Sequence, residues 1–164
     1  MQKLLIKGGR ELSGKISISG SKNATLPILA ASILSNQTII KNVPLVKDIF
    51  TMVELLNFIG LKTKLNKKKN FIEIFNKDKN INTLAPYKLV KTMRAGVLVL
   101  GSLLGKYNKA KVSLPGGCAI GTRPVDLHLF ALKKLGAKIR IKDGYILAEA
   151  KKGLKGTKIK FPSI

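Results

Sequence analysis

The chain has 164 residues, and its Lys and Arg outnumber its Asp and Glu by 31 to 8, giving a net charge of +23. This length can bury one ordinary core, and no apolar run reaches the roughly 18 residues that a membrane-spanning helix needs. The single cysteine allows no internal disulfide, and no signal-peptide pattern follows Met1. These features favour a cytoplasmic globular protein and exclude transmembrane and disulfide-rich classes.

The positive charge invites a nucleic-acid partner, but its distribution favours a solvated, compositionally biased surface. Nearly all cations are lysines scattered along the chain, and Ile and Asn are also abundant, as in a drift toward AT-rich codons. A dedicated nucleic-acid binder more often has an Arg-rich cluster with interleaved aromatic residues. We therefore expect no nucleic-acid partner, although a basic surface also attracts phosphorylated substrates.

Strand and helix patterns alternate from the N-terminus. Residues 4–7 and 15–19 alternate between apolar and polar side chains, which predicts two short strands. Ser21 is a predicted N-cap for a buried helix over residues 22–34, with Pro27 near its first turn. The next predicted elements are a strand at 38–41, an amphipathic helix at 46–59, and a hairpin of strands 62–65 and 71–75.

The same order of elements then starts again. The predicted elements are a strand at 81–84, a helix at 91–104, a strand at 111–114, a helix at 125–135 and a hairpin of strands 138–141 and 145–148. Residues 57–65 align with residues 133–141, with Gly60 over Gly136, which indicates an internal repeat. A strand at 157–161 would open a third unit, and the chain stops where its helix should begin.

Residues 111–128, KVSLPGGCAIGTRPVDLH, contain the only cysteine, Cys118, and the only histidine, His128. The glycines around Cys118 suit a loop that closes on a ligand. Arg123 would make the thiol more reactive, because a nearby cation lowers the pKa of a thiol, and its guanidinium group also fits phosphate. The alternative is a buried structural cysteine in a Gly-rich turn. We interpret His128 as structural.

Three motifs resemble those of the UDP-N-acetylglucosamine 1-carboxyvinyltransferase (MurA) family of enolpyruvyl transferases. They are LPGGCAIGTRPVDLH at 114–128, GSKNATLPILAASIL at 20–34 and TMRAGVLVLGSLLGKY at 92–107. The resemblance covers essentially the whole chain but only the first part of a typical family member. The sister family that makes 5-enolpyruvylshikimate-3-phosphate lacks the loop cysteine, so Cys118 argues against it.

The resemblance implies an α/β (α+β) fold, an inside-out α/β barrel built from βαβαββ repeats, with helices inside and sheets outside. Two such domains would enclose the active site. Residues 1–20 would be strands that pack with the absent C-terminal domain, and residues 21–164 would be an incomplete first domain. Its repeat units would be about 14–76 and 80–150, with a third truncated after its start at 154–164. The chain would then be a fragment, a decaying gene product, or half of a split enzyme with a separate polypeptide as partner.

The implied reaction moves the enolpyruvyl group of phosphoenolpyruvate onto the 3'-hydroxyl of UDP-N-acetylglucosamine, the first committed step of peptidoglycan precursor synthesis. It needs no metal and no other cofactor. Cys118 matches the proton donor, which also forms a covalent adduct and is alkylated by fosfomycin. Lys22, Asn23 and Arg123 match residues that bind phosphoenolpyruvate. The matches to UDP-N-acetylglucosamine contacts are Asn23, Arg94, Arg123, Pro124, Val125, Asp126, Leu127 and Ser163.

Several of these residues have a plainer interpretation, which the sequence leaves open. Lys22 could be a solvated lysine, Asn23 a helix cap, Arg94 half of a salt bridge and Asp126 an ordinary carboxylate at a helix N-terminus. The family's aspartate base belongs to the C-terminal domain, and no residue here matches it. We therefore expect little or no turnover by the chain alone. The alternative function is a non-catalytic basic module that binds nucleic acid or another polyanion on the same fold.

Overall fold

The computed structural model describes residues 3–77, 81–116 and 125–162. Its helices and strands follow the predicted alternation over most of the chain. The α-helices are α1 (Lys22–Ala31), α2 (Lys47–Ile59), α3 (Tyr87–Val90), α4 (Val99–Tyr107) and α5 (Asp126–Lys134), and two 3₁₀ helices span Ser32–Leu34 and Arg94–Leu98. The strands are β1 (Gln37–Ile40), β2 (Lys62–Asn66), β3 (Phe71–Phe75), β4 (Leu84–Ala85), β5 (Lys109–Ser113), β6 (Lys138–Lys142) and β7 (Tyr145–Glu149).

The described strands form two separate sheets and no closed barrel. The first sheet has the order β1-β3-β2 and is antiparallel throughout. The second has the order β4-β5-β7-β6, in which β4 and β5 are parallel and the other pairs are antiparallel. Both predicted hairpins, β2 with β3 and β6 with β7, are confirmed. Each sheet takes its strands from one stretch of chain, residues 37–75 or 84–149.

Helices α1, α2 and α4 form most of the interior, with the sheets outside them, whereas α5 buries only Leu129 among its described residues. Helix α1 packs against α2, α4 and both 3₁₀ helices, whereas α2 contacts β2 and β4, and α4 contacts β5 and β7. Leu29, Ile33 and Leu103 are fully buried where these helices meet. Burying one such side chain contributes about 1.5–3 kcal/mol, so the helix–helix contacts hold the two sheets in one unit. No helix among the described residues is long and apolar enough to span a membrane.

The two glycines aligned by the internal repeat have the same conformation. Gly60 follows α2 with φ +115°, and Gly136 follows α5 with φ +96°. This left-handed region favours glycine, which has no Cβ to clash there. In both turns the next amide donates back into the helix, Leu61 to the Leu56 carbonyl and Ala137 to the Leu132 carbonyl, each at 3.0 Å. Both helices therefore end in the same hydrogen-bonded turn, each with a left-handed glycine.

Three predicted strands are wrong, because nothing described lies beside them to accept their hydrogen bonds. Residues 3–19 contain no strand, and Leu5 and Ile16 in that segment are 99% and 91% exposed. Residues 157–161 likewise pair with no strand, although the Lys155 amide donates to the Leu135 carbonyl at 2.9 Å. A strand forms only where a neighbour satisfies its backbone groups, and the alternating pattern cannot supply that neighbour.

The predicted helix over residues 91–104 is also wrong in its extent. Helix α3 begins earlier, at Tyr87 after Pro86, and α4 continues to Tyr107. Between them Met93 is extended, with φ −138° and ψ 102°, and its side chain is buried. An extended residue cannot continue a helix. Met93 therefore separates α3 from the second 3₁₀ helix. The predicted helix over residues 22–34 is α-helical only as far as Ala31, and its last three residues form the first 3₁₀ helix.

Candidate functional site

The start of α1 carries two of the predicted ligand-binding residues. Ser21 is the N-cap, as predicted, because its Oγ accepts from the Ala24 amide at 3.3 Å. Lys22 and Asn23 are the first two residues of the helix, and both are exposed. A helix N-terminus presents free N–H groups and the positive end of the dipole, so this end of α1 suits an anionic ligand.

The side chain of Lys22 is held in an ion pair with Asp48. Its Nζ lies 2.9 Å from the Asp48 Oδ2 atom, and the two side chains are 46% and 32% exposed. Asp48 lies in the first turn of α2. It is the only carboxylate that forms an ion pair within the described residues. Asp48 is not among the residues predicted from the sequence, although the scarcity of acidic residues, 8 against 31 basic ones, indicates that each could have a specific partner.

A second contact holds the backbone just before Lys22. The Gly20 amide donates to the Asn42 Oδ1 atom at 3.1 Å. A Cβ at position 20 would lie 1.8 Å from the Asn42 carbonyl oxygen, so only glycine fits this close approach. Asn42 itself has φ +54°, a conformation that Asn adopts more readily than most residues. Residues 42–48 therefore hold the turn at 20–22 by two contacts. Asn42 accepts from the Gly20 amide, and Asp48 pairs with the Lys22 side chain.

Arg94 is placed on an element that packs against α1. It is the first residue of the second 3₁₀ helix, which contacts α1, and its side chain is exposed. It forms no ion pair within residues 3–77, 81–116 and 125–162, so the salt-bridge interpretation has no support there. The cysteine loop begins close by, because a Cβ at Gly116 would lie 3.0 Å from the Lys91 carbonyl oxygen. The start of this loop and the segment leading to Arg94 are therefore neighbours.

The remaining described candidates lie at the start of α5. Val125 is its buried N-cap residue, and Asp126 is exposed in its first turn, where any carboxylate is favourable. Leu127, the second residue of α5, is 48% exposed. Cys118, Arg123, Pro124 and Ser163 lie outside the described residues.

The structure also has a large cavity that contains none of the predicted site residues. It measures about 670 Å³ and lies on one face of the second sheet, where its lining includes Lys109, Lys111, Lys138, Arg140 and Glu149. It is an open, cationic sheet face and not a continuation of the Lys22 site. Within the described residues, no group of His, Cys, Asp and Glu side chains is arranged to hold a metal ion.

Comparison with known proteins gives this arrangement a family. The profile described as EPSP synthase (3-phosphoshikimate 1-carboxyvinyltransferase) matches residues 6–163. UDP-N-acetylglucosamine 1-carboxyvinyltransferases from Pelagibacter ubique and Rickettsia rickettsii are 59% and 53% identical to this chain over its whole length. The chain spans only 39% of the length of each.

Solved structures agree at the level of the fold. The enolpyruvyl transferase NikO from Streptomyces tendae superimposes with a TM-score of 0.73 and 20% identity, over 90% of this chain and 32% of that one. EPSP synthase from Acinetobacter baumannii gives a TM-score of 0.64 and 16% identity, over 92% and 35%. The chain therefore belongs to the EPSP synthase family of enolpyruvyl transferases, and its sequence is similar to the N-terminal part of the UDP-N-acetylglucosamine 1-carboxyvinyltransferases.

Proposed function

We propose that this chain is the N-terminal portion of an enzyme that transfers the enolpyruvyl group of phosphoenolpyruvate to the 3'-hydroxyl of UDP-N-acetylglucosamine and releases phosphate. The main support is the 59% identity, over the full length of this chain, with the UDP-N-acetylglucosamine 1-carboxyvinyltransferase of Pelagibacter ubique. The position of Lys22 and Asn23 in the first turn of α1 supports a site for an anion. In this role the protein acts in the cytoplasm, in the synthesis of peptidoglycan precursors.

The site residues divide the chemistry among themselves. Cys118 delivers the proton to the C3 methylene of phosphoenolpyruvate and is the position that fosfomycin alkylates. Lys22, Asn23 and Arg123 bind phosphoenolpyruvate through its charged groups. The UDP-N-acetylglucosamine site includes Asn23, Arg94, Arg123, Pro124, Val125, Asp126, Leu127 and Ser163. No residue of this chain is assigned as the base that takes the sugar hydroxyl proton.

The proposed domain arrangement explains the exposed N-terminal segment. Residues 1–20 pack with a C-terminal domain, and residues 21–164 form an incomplete first domain of units at about 14–76, 80–150 and 154–164. The support is that Leu4, Ile6 and Ile18 are between 84% and 94% exposed in this chain. Apolar side chains at that exposure have a surface left to bury. The C-terminal domain also supplies the base, so the chain alone has little or no turnover.

A hybrid polypeptide tests the activity directly. Residues 1–164 replace the matched segment of the Pelagibacter ubique relative, and phosphate release is measured with both substrates. We expect the hybrid to release phosphate only when UDP-N-acetylglucosamine and phosphoenolpyruvate are both present, and the isolated chain to release none. Cys118→Ser in the hybrid should lower turnover by about 100-fold or more, the usual contribution of a positioned proton donor.

The unmodified relative, prepared in parallel, is the control for this experiment. A folded hybrid that leaves both substrates unchanged would sink the proposal. Activity with shikimate 3-phosphate in place of UDP-N-acetylglucosamine would assign the chain to the sister reaction instead. Turnover by the isolated chain would disprove the need for a second domain.

A second candidate function is binding of a polyanion on the cationic sheet face. The observation in its favour is the cavity lined by Lys109, Lys111, Lys138 and Arg140, where Glu149 is the one carboxylate. Changing these four residues to Gln should then weaken binding to single-stranded DNA, with affinity that falls steeply as salt rises. The matched control changes four other exposed lysines, Lys151, Lys152, Lys155 and Lys158. Equal losses in both variants would mean diffuse attraction without a site.

A further inference from the structure

The Lys22–Asp48 pair connects the first turns of two helices that pack together. Lys22 begins α1, Asp48 is the second residue of α2, and the two helices are in contact. The Nζ to Oδ2 distance of 2.9 Å is that of a charge-assisted hydrogen bond. A lysine ammonium group sits on a flexible four-carbon stem, so the start of α1 alone does not fix where it points. The hydrogen bond to the Asp48 carboxylate fixes the position of this ammonium group.

We propose that Asp48 is a positioning residue, which holds the Lys22 ammonium group at the start of α1 ready for the phosphate of phosphoenolpyruvate. This inference rests on the proposed function, which supplies the anionic ligand. Holding the side chain in place before binding removes part of the entropy that a free lysine would lose. Asp48 does not contact the ligand in this role; it acts through Lys22.

The contact between Gly20 and Asn42 supports the same role for residues 42–48. The Asn42 side chain accepts the Gly20 amide at 3.1 Å, two residues before Lys22. The same short segment thus holds the backbone of the turn through Asn42 and its cation through Asp48. Two contacts of different kinds on one turn indicate that the segment fixes the geometry of the turn.

The competing explanation is that Asp48 only stabilises its own helix. An acidic residue in a first turn interacts favourably with the helix dipole, and Asp48 occupies such a position. That role would leave the chemical reactivity of Lys22 unchanged when Asp48 is replaced. The positioning role predicts that Lys22 becomes freer and binds phosphate less well.

Acetylation of the hybrid polypeptide, which carries residues 1–164 together with the second domain of the relative, separates the two explanations. The rate of acetylation at Lys22 is followed by peptide mass spectrometry, with and without phosphoenolpyruvate as protecting ligand. In Asp48→Asn we expect Lys22 to react about three- to fivefold faster, and the half-protecting concentration of phosphoenolpyruvate to rise about three- to fivefold, as for a partly exposed ion pair. Asp48→Glu, which keeps the carboxylate, should recover part of both effects.

Glu54→Gln is the matched control, because it removes the same charge from an exposed position on the same helix. We expect this variant to leave Lys22 unchanged in both measurements. Equal rates at Lys22 in the Asp48→Asn hybrid and the unsubstituted hybrid would overturn the proposal. Tighter protection in Asp48→Asn would also overturn it, because Asp48 would then compete with the phosphate.

Failure of the proposed function gives a different result. If phosphoenolpyruvate does not protect Lys22 in the unsubstituted hybrid, the proposed substrate is wrong, and the ligand named for Lys22 is wrong with it. A faster reaction of Lys22 in Asp48→Asn would still show, in that case, that the ion pair holds the lysine. Circular dichroism of each variant establishes that the helices remain folded during these measurements.

Discussion

Gly20 lies at the tightest approach beside the candidate site, where a Cβ would be 1.8 Å from the Asn42 carbonyl oxygen. We predict that Gly20→Ala lowers the free energy of unfolding by about 1–3 kcal/mol, because the clash is with backbone and must displace the turn. The midpoint of urea unfolding measures this change. An unchanged midpoint would show that the turn moves aside without cost.

Gly101→Ala is the matched control for that substitution. Gly101 lies within α4, and a Cβ there would meet no atom within 4 Å. Alanine favours the helix interior over glycine by about 1 kcal/mol, so this variant should unfold at a higher urea concentration. The opposite signs at the two positions separate a steric effect from a general effect of added methyl groups.

Some site residues could be predicted from sequence, and the reason differs from residue to residue. The Ser21 cap depends on its neighbours in the chain, and the position of Lys22 at the start of α1 follows from it. The Lys22–Asp48 pair joins positions 26 residues apart and depends on how α1 packs against α2. No local pattern contains that packing, so the partner of Lys22 could not be predicted.

At the scale of the elements, Asn76 connects three parts of the fold. Its buried Nδ2 atom donates to the Ile33 carbonyl at 2.6 Å, and its Oδ1 atom accepts from the Tyr107 hydroxyl at 3.1 Å. We predict that Asn76→Ala lowers the free energy of unfolding by about 1–3 kcal/mol, since it leaves a buried carbonyl without its donor. Tyr107→Phe should lower it by about 1 kcal/mol.

A double-mutant cycle of Asn76→Ala and Tyr107→Phe, measured by urea unfolding, checks that the two residues act together. Contacting residues should show a coupling energy of about 0.5–3 kcal/mol. Tyr87→Phe is the control, because the Tyr87 side chain is 53% exposed, and a surface change of this kind should stay within about 0.5 kcal/mol. If the losses in unfolding free energy of the two single variants simply add, Asn76 and Tyr107 do not act together, and the prediction is wrong.

The strand predictions are most accurate where a strand and its pairing partner are close together in sequence. The hairpin of β6 and β7 is closed by a short turn at Asp143 and Gly144, both with positive φ, and its pattern is enough to predict it. Residues 15–19 have a similar alternation but pair with no described strand. Periodicity identifies a segment that can become a strand, while pairing depends on the rest of the molecule.

For the whole molecule, the N-terminal segment contributes little to the core. Every described residue from 3 to 19 is exposed, and Leu4, Leu5 and Leu12 are each at least 94% exposed. We therefore predict that deleting residues 1–19 changes the free energy of unfolding by less than about 0.5 kcal/mol. Urea unfolding measures the change, and trypsin should cut the full chain first within this segment. A loss above about 1 kcal/mol would show that the segment packs on the core.

The fold class was predictable because the whole chain carries its family's motifs, and the similarity to NikO confirms it. The division of residues 1–164 into domains stays a prediction. The wrong strands at 4–7, 15–19 and 157–161 all lie near the ends of the chain, where the described structure offers no neighbouring strand. Prediction therefore succeeded best for the two hairpins, whose paired strands are adjacent in sequence.

The separation of the two sheets along the chain has a consequence for synthesis on the ribosome. The first sheet is complete within residues 37–75, so all its strands are translated before the first strand of the second sheet begins at Leu84. N-terminal parts of nascent chains generally fold first. Helix α1, however, packs against α4 and waits for residues up to Tyr107 before its surface is covered. The nascent chain can thus close its first outer layer early, while the helical interior stays open to chaperones until the second half has been made.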